Sequence, residues 1–320
     1  MAERPRVLLT RRLPPDLEQR LDAVAQVTRR KTDAPPTEAE LIEDVPGHDA
    51  VICMLTEPMT ARVLASPGLK LVSQVAVGLD NIDLAAARRH EIIVAHTPGV
   101  LTDATADLAM ALILAAARRL PEAERTVREG RWTTWSLDML TGLELRGAVL
   151  GIVGLGRIGQ AVALRANAFG MRALYSGPRR ASFKVEAATG AEHVSLERLL
   201  AESDVVSLHA PLNDDTRGLL SRARLFAMKP GALLVNTARG GLIEEEALAD
   251  ALEHGPLRWA ALDVFAEEPR VPPSLLHRND VILLPHIGSA TTATRHAMAR
   301  LATEAVLDWS AGRPVAHRAV

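Results

Sequence analysis

Residues 149–160, with the sequence VLGIVGLGRIGQ, decide the fold. They read as a short apolar strand, a glycine turn and the first turn of a helix. Gly154, Gly156 and Gly159 form the pattern G-x-G-x-x-G. The first glycine permits a tight turn, the second lets backbone N–H groups approach a pyrophosphate, and the third lets the helix pack closely on the strand. Because an apolar run precedes the glycines and an amphipathic run follows them, the stretch predicts a dinucleotide-binding site.

Short apolar runs alternate with helical runs on both sides of this stretch. From residue 148 onward, six strands are predicted near residues 149–153, 172–175, 204–208, 233–236, 259–263 and 281–284. Four more are predicted near residues 7–10, 50–55, 69–75 and 92–94. Strands that alternate with helices are typical of parallel sheets covered on both faces. We therefore predict an α/β chain with two doubly wound parallel-sheet domains of the Rossmann and flavodoxin-like kinds.

The amino-acid composition limits the kinds of ligand or partner that the protein is expected to bind. The 320 residues are 48% hydrophobic and 24% charged, and the net charge of −2 offers no field for nucleic acid or an anionic membrane. The single cysteine, Cys53, excludes a disulfide within the chain and fits a reducing cytoplasm. The polar start predicts no secretory signal, and the apolar segment 108–117 is too short to span a bilayer. We predict a cytoplasmic protein with a small-molecule partner and no metal site.

The end of the second strand after the glycine turn predicts which dinucleotide is bound. An NAD site usually has an acidic residue about 20 positions beyond the glycines, where it meets the ribose hydroxyls. Here the chain reads Ser176-Gly177-Pro178-Arg179-Arg180, which contains no acid. A missing carboxylate and two nearby guanidinium groups favour a 2′-phosphate. The stretch therefore favours NADPH or NADP. If residues 176–180 are only a solvated basic loop, NADH is the expected, weaker alternative.

Three further residues follow predicted strands of the same half, where such sheets present their ligands. These are Arg239, Glu268 and His286. Arginine offers a planar fork for a carboxylate, and histidine can pass a proton near neutral pH. A nearby carboxylate orients such a histidine. Reduction of a 2-keto acid needs a cation for the acid group, a proton donor for the ketone oxygen and a partner for that donor.

With these residues in order, the chain resembles the D-isomer-specific 2-hydroxyacid dehydrogenase family, and within it the glyoxylate/hydroxypyruvate reductase subgroup. The resemblance runs nearly end to end. The matching segments are residues 75–83 (VAVGLDNID), 97–102 (TPGVLT), 151–159 (GIVGLGRIG), 236–240 (NTARG), 262–265 (LDVF), 268–269 (EP) and 284–290 (LPHIGSA). It implies that the dinucleotide-binding domain, residues 101–287, is inserted into a substrate domain formed by residues 1–100 and 288–320.

The resemblance also implies a role for each matched residue. Arg239 would bind the substrate carboxylate and keto oxygen, His286 would donate the proton, and Glu268 would hold His286. Val77 and Gly78 would offer backbone N–H groups to the carboxylate. The implied cofactor contacts are Thr105, Gly154, Leu155, Gly156, Arg157, Ile158, Gly159, Ser176, Arg179, Arg180, Thr237, Asp263, His286 and Ser289.

The function so implied is NADPH-preferring reduction of glyoxylate to glycolate and of hydroxypyruvate to D-glycerate. Two alternatives stay open at this point: an enzyme like 3-phosphoglycerate dehydrogenase, and a dinucleotide-sensing binding protein like the co-repressor relatives of the family. The resemblance further implies a homodimer. Trp132 and Trp135 lie in residues 120–147, the stretch that builds the dimer in similar reductases, although ordinary interface packing explains them as well.

Overall fold

The computed structural model describes residues 4–320. Its strands are β1 (Arg6–Leu9), β2 (Gln26–Arg29), β3 (Ala50–Cys53), β4 (Leu71–Gln74), β5 (Ile93–Ala95), β6 (Val149–Val153), β7 (Arg172–Ser176), β8 (Glu192–His193), β9 (Val205–Leu208), β10 (Leu233–Asn236), β11 (Trp259–Leu262) and β12 (Val281–Leu283). Its helices are α1 (Pro15–Asp22), α2 (Glu38–Asp44), α3 (Ala61–Leu64), α4 (Leu84–Arg89), α5 (Thr102–Ala117), α6 (Leu120–Arg128), α7 (Arg157–Ala168), α8 (Phe183–Thr189), α9 (Leu196–Glu202), α10 (Arg222–Phe226), α11 (Glu245–Glu253), α12 (Pro273–Leu276) and α13 (Thr292–Ser310).

The described residues divide into two compact units by their internal contacts. Unit 1 comprises residues 4–101 and 290–320, and unit 2 comprises residues 102–289. Unit 1 contains a five-stranded parallel sheet in the order β2-β1-β3-β4-β5, which is the flavodoxin-like order. The C-terminal segment covers the free edge of β5, where the Ala319 N–H donates to the Val94 carbonyl at 2.8 Å.

Unit 2 contains a seven-stranded parallel sheet in the order β12-β11-β10-β9-β6-β7-β8. The order reverses at β6, so the crevice beyond the carboxyl ends of β6 and β9 is the switch point at which ligands bind in such sheets. Strands β9, β10 and β11 are buried at every residue, because helices cover both faces of the sheet. The predicted fold class, two doubly wound parallel sheets with unit 2 inserted into unit 1, is confirmed.

Some details of the prediction were wrong. Unit 2 has seven strands rather than six, because β8 is a two-residue edge strand with the polar sequence Glu192-His193. Strand β2 was missed for the same reason, since its residues QVTR are mostly exposed. An edge strand buries little apolar surface and therefore leaves a weak pattern in the sequence. The stretch 120–147 also begins with a helix, α6, which Leu120 and Pro121 start.

Among residues 4–320, no helix is long and apolar enough to cross a membrane.

Candidate active site

The glycine loop after β6 is shaped by close backbone contacts. Gly154 has a φ of +97°, and a Cβ placed on it would lie 2.8 Å from the Ala210 nitrogen. A Cβ on Gly159 would lie 2.3 Å from the Gly154 carbonyl oxygen, so only glycine lets α7 pack this closely on the loop. A Cβ on Gly156 would meet nothing within 4 Å. The loop is therefore tight on the protein side and faces open space at the start of α7.

The start of α7 presents the donors that a pyrophosphate requires. Gly156 is the N-cap residue and provides no side-chain hydrogen bond to the helix. The first N–H groups of a helix have no partner inside it and lie at the positive end of its dipole. Leu155, Arg157 and Ile158, which were predicted to cover the pyrophosphate, lie in this loop and first turn. Gln160 Nε2 donates to the Leu155 carbonyl at 3.0 Å and steadies the loop.

Thr237, directly after β10, carries a buried side-chain hydroxyl group. Its side-chain oxygen has no hydrogen-bond partner among residues 4–320, although the residue is only 8% exposed. A buried hydroxyl without a partner is costly, so it points to a ligand group at this position. Together with the open space at Gly156, it shows that the residues present fit a dinucleotide. Thr105, in contrast, already donates its hydroxyl to the Gly288 carbonyl at 3.2 Å, next to Ser289.

The loop after β7 separates the two arginines that were predicted to bind a 2′-phosphate. Arg179 is exposed and its side chain makes no hydrogen bond or ion pair with residues 4–320. Arg180 forms a two-pronged ion pair with Glu186, with both nitrogen–oxygen distances at 2.9 Å. Ser176 ends β7 and is half-buried, and its carbonyl accepts from the Gly154 N–H at 2.8 Å. The structure thus brings Ser176 beside the glycine loop and gives Arg180 a partner of its own.

His286 and Glu268 meet, as predicted. His286 Nδ1 lies 2.7 Å from Glu268 Oε2, and each side chain is 26% exposed. An ionised carboxylate only accepts, so the proton between them belongs to Nδ1 and Nε2 is left for a ligand. The second oxygen of Glu268 accepts from the Phe265 N–H at 3.1 Å, which fixes the carboxylate in place. The pair is therefore a histidine oriented by a carboxylate that is itself anchored to backbone.

Asp263 holds the turn that carries His286. The two oxygens of its fully buried carboxylate accept from the Ile287 N–H at 2.7 Å and the Gly288 N–H at 2.8 Å. The His286 N–H donates to the Asp263 carbonyl at 2.9 Å. His286 has a φ of +53°, a conformation that costs about 1–3 kcal/mol in a residue other than glycine. Burial raises the pKa of the Asp263 carboxyl, and the two backbone N–H groups oppose that rise.

Asp263, which the resemblance assigns to the cofactor, also has a role in supporting the protein backbone. In the structure this carboxylate is a clamp on the His286 turn, and both of its oxygens are already engaged. Nothing in the local sequence distinguishes the two roles, because the amides that donate to Asp263 lie more than 20 residues further along the chain.

Arg239 is positioned by the turn after β10. The buried Asn236 donates from Nδ2 to the Arg239 carbonyl at 2.9 Å and accepts the Ala238 N–H at 3.0 Å. The next residue, Gly240, lies so close to the segment before Glu268 that a Cβ on it would be 1.9 Å from the Phe265 carbonyl carbon. Unit 2 thus packs the backbone of the arginine turn directly against the backbone that leads to Glu268.

His209, at the carboxyl end of β9, is a second histidine near the switch point. Its Nε2 lies 2.8 Å from the hydroxyl of the fully buried Ser207. Burial lowers the pKa of the His209 imidazole to about 4, so the ring is neutral at physiological pH. A neutral ring of this kind is a poor proton donor.

In unit 1, the loop after β4 directs its carbonyls into the protein. The Ala76, Val77 and Gly78 carbonyls accept, respectively, from the Thr97 N–H at 2.9 Å, from His96 Nδ1 at 2.9 Å and from Gln74 Nε2 at 2.5 Å. Within the described residues of unit 1, neither the Val77 nor the Gly78 N–H donates to another group. These two amides, which the resemblance assigns to a carboxylate, are therefore held in a loop with fixed orientation.

Sequence reasoning missed His96 and Gln74 as supports of this loop. A signal for Gln74 was available, since a polar amide at the end of the apolar run of β4 is expected to be buried with partners. Gln74 is indeed fully buried, and Asn81 bonds to its amide with a nitrogen–oxygen distance of 2.8 Å. Within residues 4–320, no cluster of three or more His, Cys, Asp or Glu side chains could hold a metal ion.

Comparison with known proteins places this geometry in a family. The family model described as D-isomer specific 2-hydroxyacid dehydrogenase, NAD binding domain, matches residues 110–288. A glyoxylate reductase from Korarchaeum cryptofilum is 46% identical over 314 residues, which covers 97% of this chain and 94% of that protein.

Two solved structures are similar throughout. A glyoxylate reductase from Paecilomyes thermophila superposes with a TM-score of 0.90 at 31% identity and covers 100% of this chain and 99% of its own. An NADPH-dependent glyoxylate/hydroxypyruvate reductase from Sinorhizobium meliloti, solved with NADP and malonate, has a TM-score of 0.88 at 32% identity and covers 99% and 97%. The chain accordingly belongs to the D-isomer-specific 2-hydroxyacid dehydrogenase family, a family of oxidoreductases with an NAD-binding domain.

Proposed function

We propose that the protein is an NADPH-preferring reductase of small 2-keto acids that converts glyoxylate to glycolate and hydroxypyruvate to D-glycerate. The observation that carries the proposal is the His286–Glu268 pair, at 2.7 Å, held in a left-handed turn by Asp263. This pair lies in the same unit as a glycine loop that fits a pyrophosphate. Relatives named glyoxylate reductase, at 42–46% identity, support the substrate class.

The proposed division of labour assigns one task to each group. Bound NADPH supplies a hydride to the 2-carbon of the keto acid. The Arg239 guanidinium neutralises the substrate carboxylate and hydrogen-bonds the keto oxygen. His286 donates its Nε2 proton to that oxygen as negative charge develops on it, and Glu268 stabilises the imidazolium through Nδ1. The orientation of each side chain follows from its anchored backbone.

The NADPH preference rests on the loop after β7. Residues 176–180 include no acidic residue, so no carboxylate of the loop itself repels a 2′-phosphate, and the space beside Gly177 is open. Ser176 and Arg179 are available to bind one. The solved relatives that are named with NADPH or NADP support the same preference.

Steady-state kinetics with glyoxylate, hydroxypyruvate, pyruvate and phosphohydroxypyruvate, each with NADPH and with NADH, test the proposal. We expect the first two substrates with NADPH to give the highest kcat/KM. A preference for phosphohydroxypyruvate with NADH would instead support an enzyme like 3-phosphoglycerate dehydrogenase. Tight dinucleotide binding without turnover of any of the four acids would support a dinucleotide-sensing binding protein.

His286→Asn tests the proton donor directly, since asparagine keeps a polar group and removes the titrating ring. We expect a fall in kcat of about 100- to 10,000-fold, which is the range for loss of a general acid, while NADPH binding stays within threefold of wild type. Unchanged turnover would remove His286 from the mechanism.

We also propose a cytoplasmic homodimer. Residues 120–137 expose an unusual set of apolar side chains, including Trp132 at 58%, Trp135 at 73% and Leu137 at 86% exposure. Large exposed apolar groups in one short stretch mark an interaction surface. Light scattering after size exclusion tests this proposal, with the variant Trp135→Ser, Leu137→Ser expected to shift the mass toward a monomer.

A further inference from the structure

Glu186 joins three parts of unit 2 around the loop that follows β7. Its carboxylate accepts from Arg180 Nε and Nη2, both at 2.9 Å, and from the Tyr175 hydroxyl at 2.7 Å. The Tyr175 hydroxyl in turn accepts from the Ala181 N–H at 2.8 Å. The set of Tyr175, Arg180 and Glu186, here called the loop clamp, thus ties the end of β7, the loop 177–181 and helix α8 to one another.

The charges of the loop clamp favour an Arg180–Glu186 ion pair that persists across the working pH range. Arg180, and then Tyr175, lower the pKa of Glu186 to about 2, so this carboxylate is ionised at any pH at which a nicotinamide enzyme works. A two-pronged guanidinium–carboxylate pair is among the strongest hydrogen-bonded contacts of a protein surface. The positive charge of Arg180 is therefore already neutralised before any ligand arrives.

Arg179 provides the contrast. It has the same charge, it is the neighbouring residue, and it is exposed without an ion pair or hydrogen bond in the described chain. Among residues 4–320, no carboxylate forms an ion pair with its guanidinium. In sequence the two arginines look equivalent. They differ in the free energy needed to free the guanidinium group from its protein partner so that it can bind an anion.

We propose that Arg179 alone of this pair binds the 2′-phosphate of NADPH, and that Glu186, with Tyr175, withholds Arg180 so that it acts as a positioning residue for the loop. Glu186 is thereby a specificity-determining residue that sets how strongly NADPH is preferred over NADH. The inference rests on the proposed NADPH preference and deepens it, because it assigns opposite effects on that preference to Arg179 and Glu186, which lie seven positions apart.

Equilibrium binding of NADP⁺ and NAD⁺, measured by titration calorimetry on the full-length protein, tests this assignment without a catalytic readout. Arg179→Ala should weaken NADP⁺ about 10- to 100-fold, the range for a charged hydrogen-bond partner, and change NAD⁺ less than threefold. Arg180→Ala, the matched control, should change both cofactors by the same factor. The proposal would be overturned if Arg180→Ala weakened the binding of NADP⁺ alone and did so as strongly as Arg179→Ala.

Glu186→Gln tests the withholding itself. The amide keeps the shape of the side chain but releases the charge on Arg180, so the ratio of NADP⁺ to NAD⁺ affinity should rise several-fold. Adding Arg180→Ala to Glu186→Gln should abolish the rise, whereas no rise, or a rise that survives the second substitution, would contradict the idea. If Glu186→Gln folds poorly, Glu186→Ala serves instead, with the same expected rise in the affinity ratio and the same reversal by Arg180→Ala.

Tyr175 is the only tyrosine of the chain, so its alkaline absorbance titration reports on the loop clamp alone. Burial and Glu186 raise the pKa of its hydroxyl, whereas Arg180 opposes the rise. If Arg180 stays on Glu186, the NADP⁺ and NAD⁺ complexes should titrate together. If Arg180 moved to the phosphate, the tyrosine pKa should be higher in the NADP⁺ complex, which would overturn the proposal.

A wild-type protein that binds NADP⁺ no tighter than NAD⁺ would remove the NADPH preference itself, while equal effects of Arg180→Ala on both cofactors would still support the loop clamp.

Discussion

Gly177→Asp should convert the cofactor preference from NADPH to NADH. The position tolerates a side chain, because a Cβ there would have its nearest neighbour, the Arg179 carbonyl oxygen, at 4.0 Å. Its backbone is also free of the left-handed φ that would strain an aspartate. The substitution therefore adds a carboxylate to the loop after β7 without a packing cost.

The size of the effect follows from the charge. Two unit charges about 5 Å apart repel by about 3 kcal/mol at an effective dielectric constant of about 20. Solvent exposure and salt reduce this repulsion, so we expect NADPH to bind about 1–2 kcal/mol more weakly, or about 5- to 30-fold. NADH lacks the phosphate and gains a partner for its ribose hydroxyls, so its affinity should stay constant or rise.

The assay is the dissociation constant and the KM for each cofactor, with Gly177→Asn as the matched control. Asparagine has the size of aspartate but no charge. If the asparagine variant loses NADPH affinity as strongly as the aspartate variant, the effect is steric and the electrostatic reasoning fails. The loss should also shrink at high salt, since the repelling groups are exposed.

The remaining predictions concern the catalytic unit and its supports. Glu268→Gln should lower kcat about 10- to 100-fold, because the imidazolium loses its charged partner; unaltered NADPH affinity is the control, and unchanged kcat would contradict the pairing. Arg239→Lys should raise the KM for glyoxylate at least about 10-fold, since a lysine cannot reproduce the two-pronged contact, and an unchanged KM would remove Arg239 from substrate binding. Gln74→Leu should destabilise unit 1 by about 1–3 kcal/mol in urea unfolding, because the Gly78 carbonyl and Asn81 lose a buried partner. His209 in the folded protein takes up its proton only near pH 4, whereas a solvated imidazole does so near pH 6.5. The contribution of His209 to stability is therefore complete above pH 6.5 and declines as the pH falls toward 4. His209→Gln should flatten that decline, by at most about 2 kcal/mol, when unfolding is compared at about pH 7 and about pH 5.

Local patterns in the sequence were enough for the fold class and for the contact between His286 and Glu268. The glycine turn at residues 154–159 is recognisable from sequence because close backbone contacts require glycine at residues 154 and 159, and the glycine at 156 leaves the space at the start of α7 open. The alternation of apolar runs and helical runs predicts parallel sheets for an equally local reason, since buried strands need apolar residues on both faces. His286 and Glu268 could be paired in advance because both follow strands at the same edge of one sheet.

Tertiary structure decided what each of these residues is engaged with. Arg179 and Arg180 look alike in sequence, and only the packing of α8 against β7 gives one of them a carboxylate. Asp263 holds the His286 turn through amides that lie more than 20 residues further along the chain. The edge strand β8, with its polar sequence, exists because β7 offers it backbone hydrogen bonds. The Arg180–Glu186 contact spans six residues, and the other two join groups that lie further apart in the chain. Residue type and spacing therefore determine which groups are present, and the folded chain determines which of them remain available to a ligand.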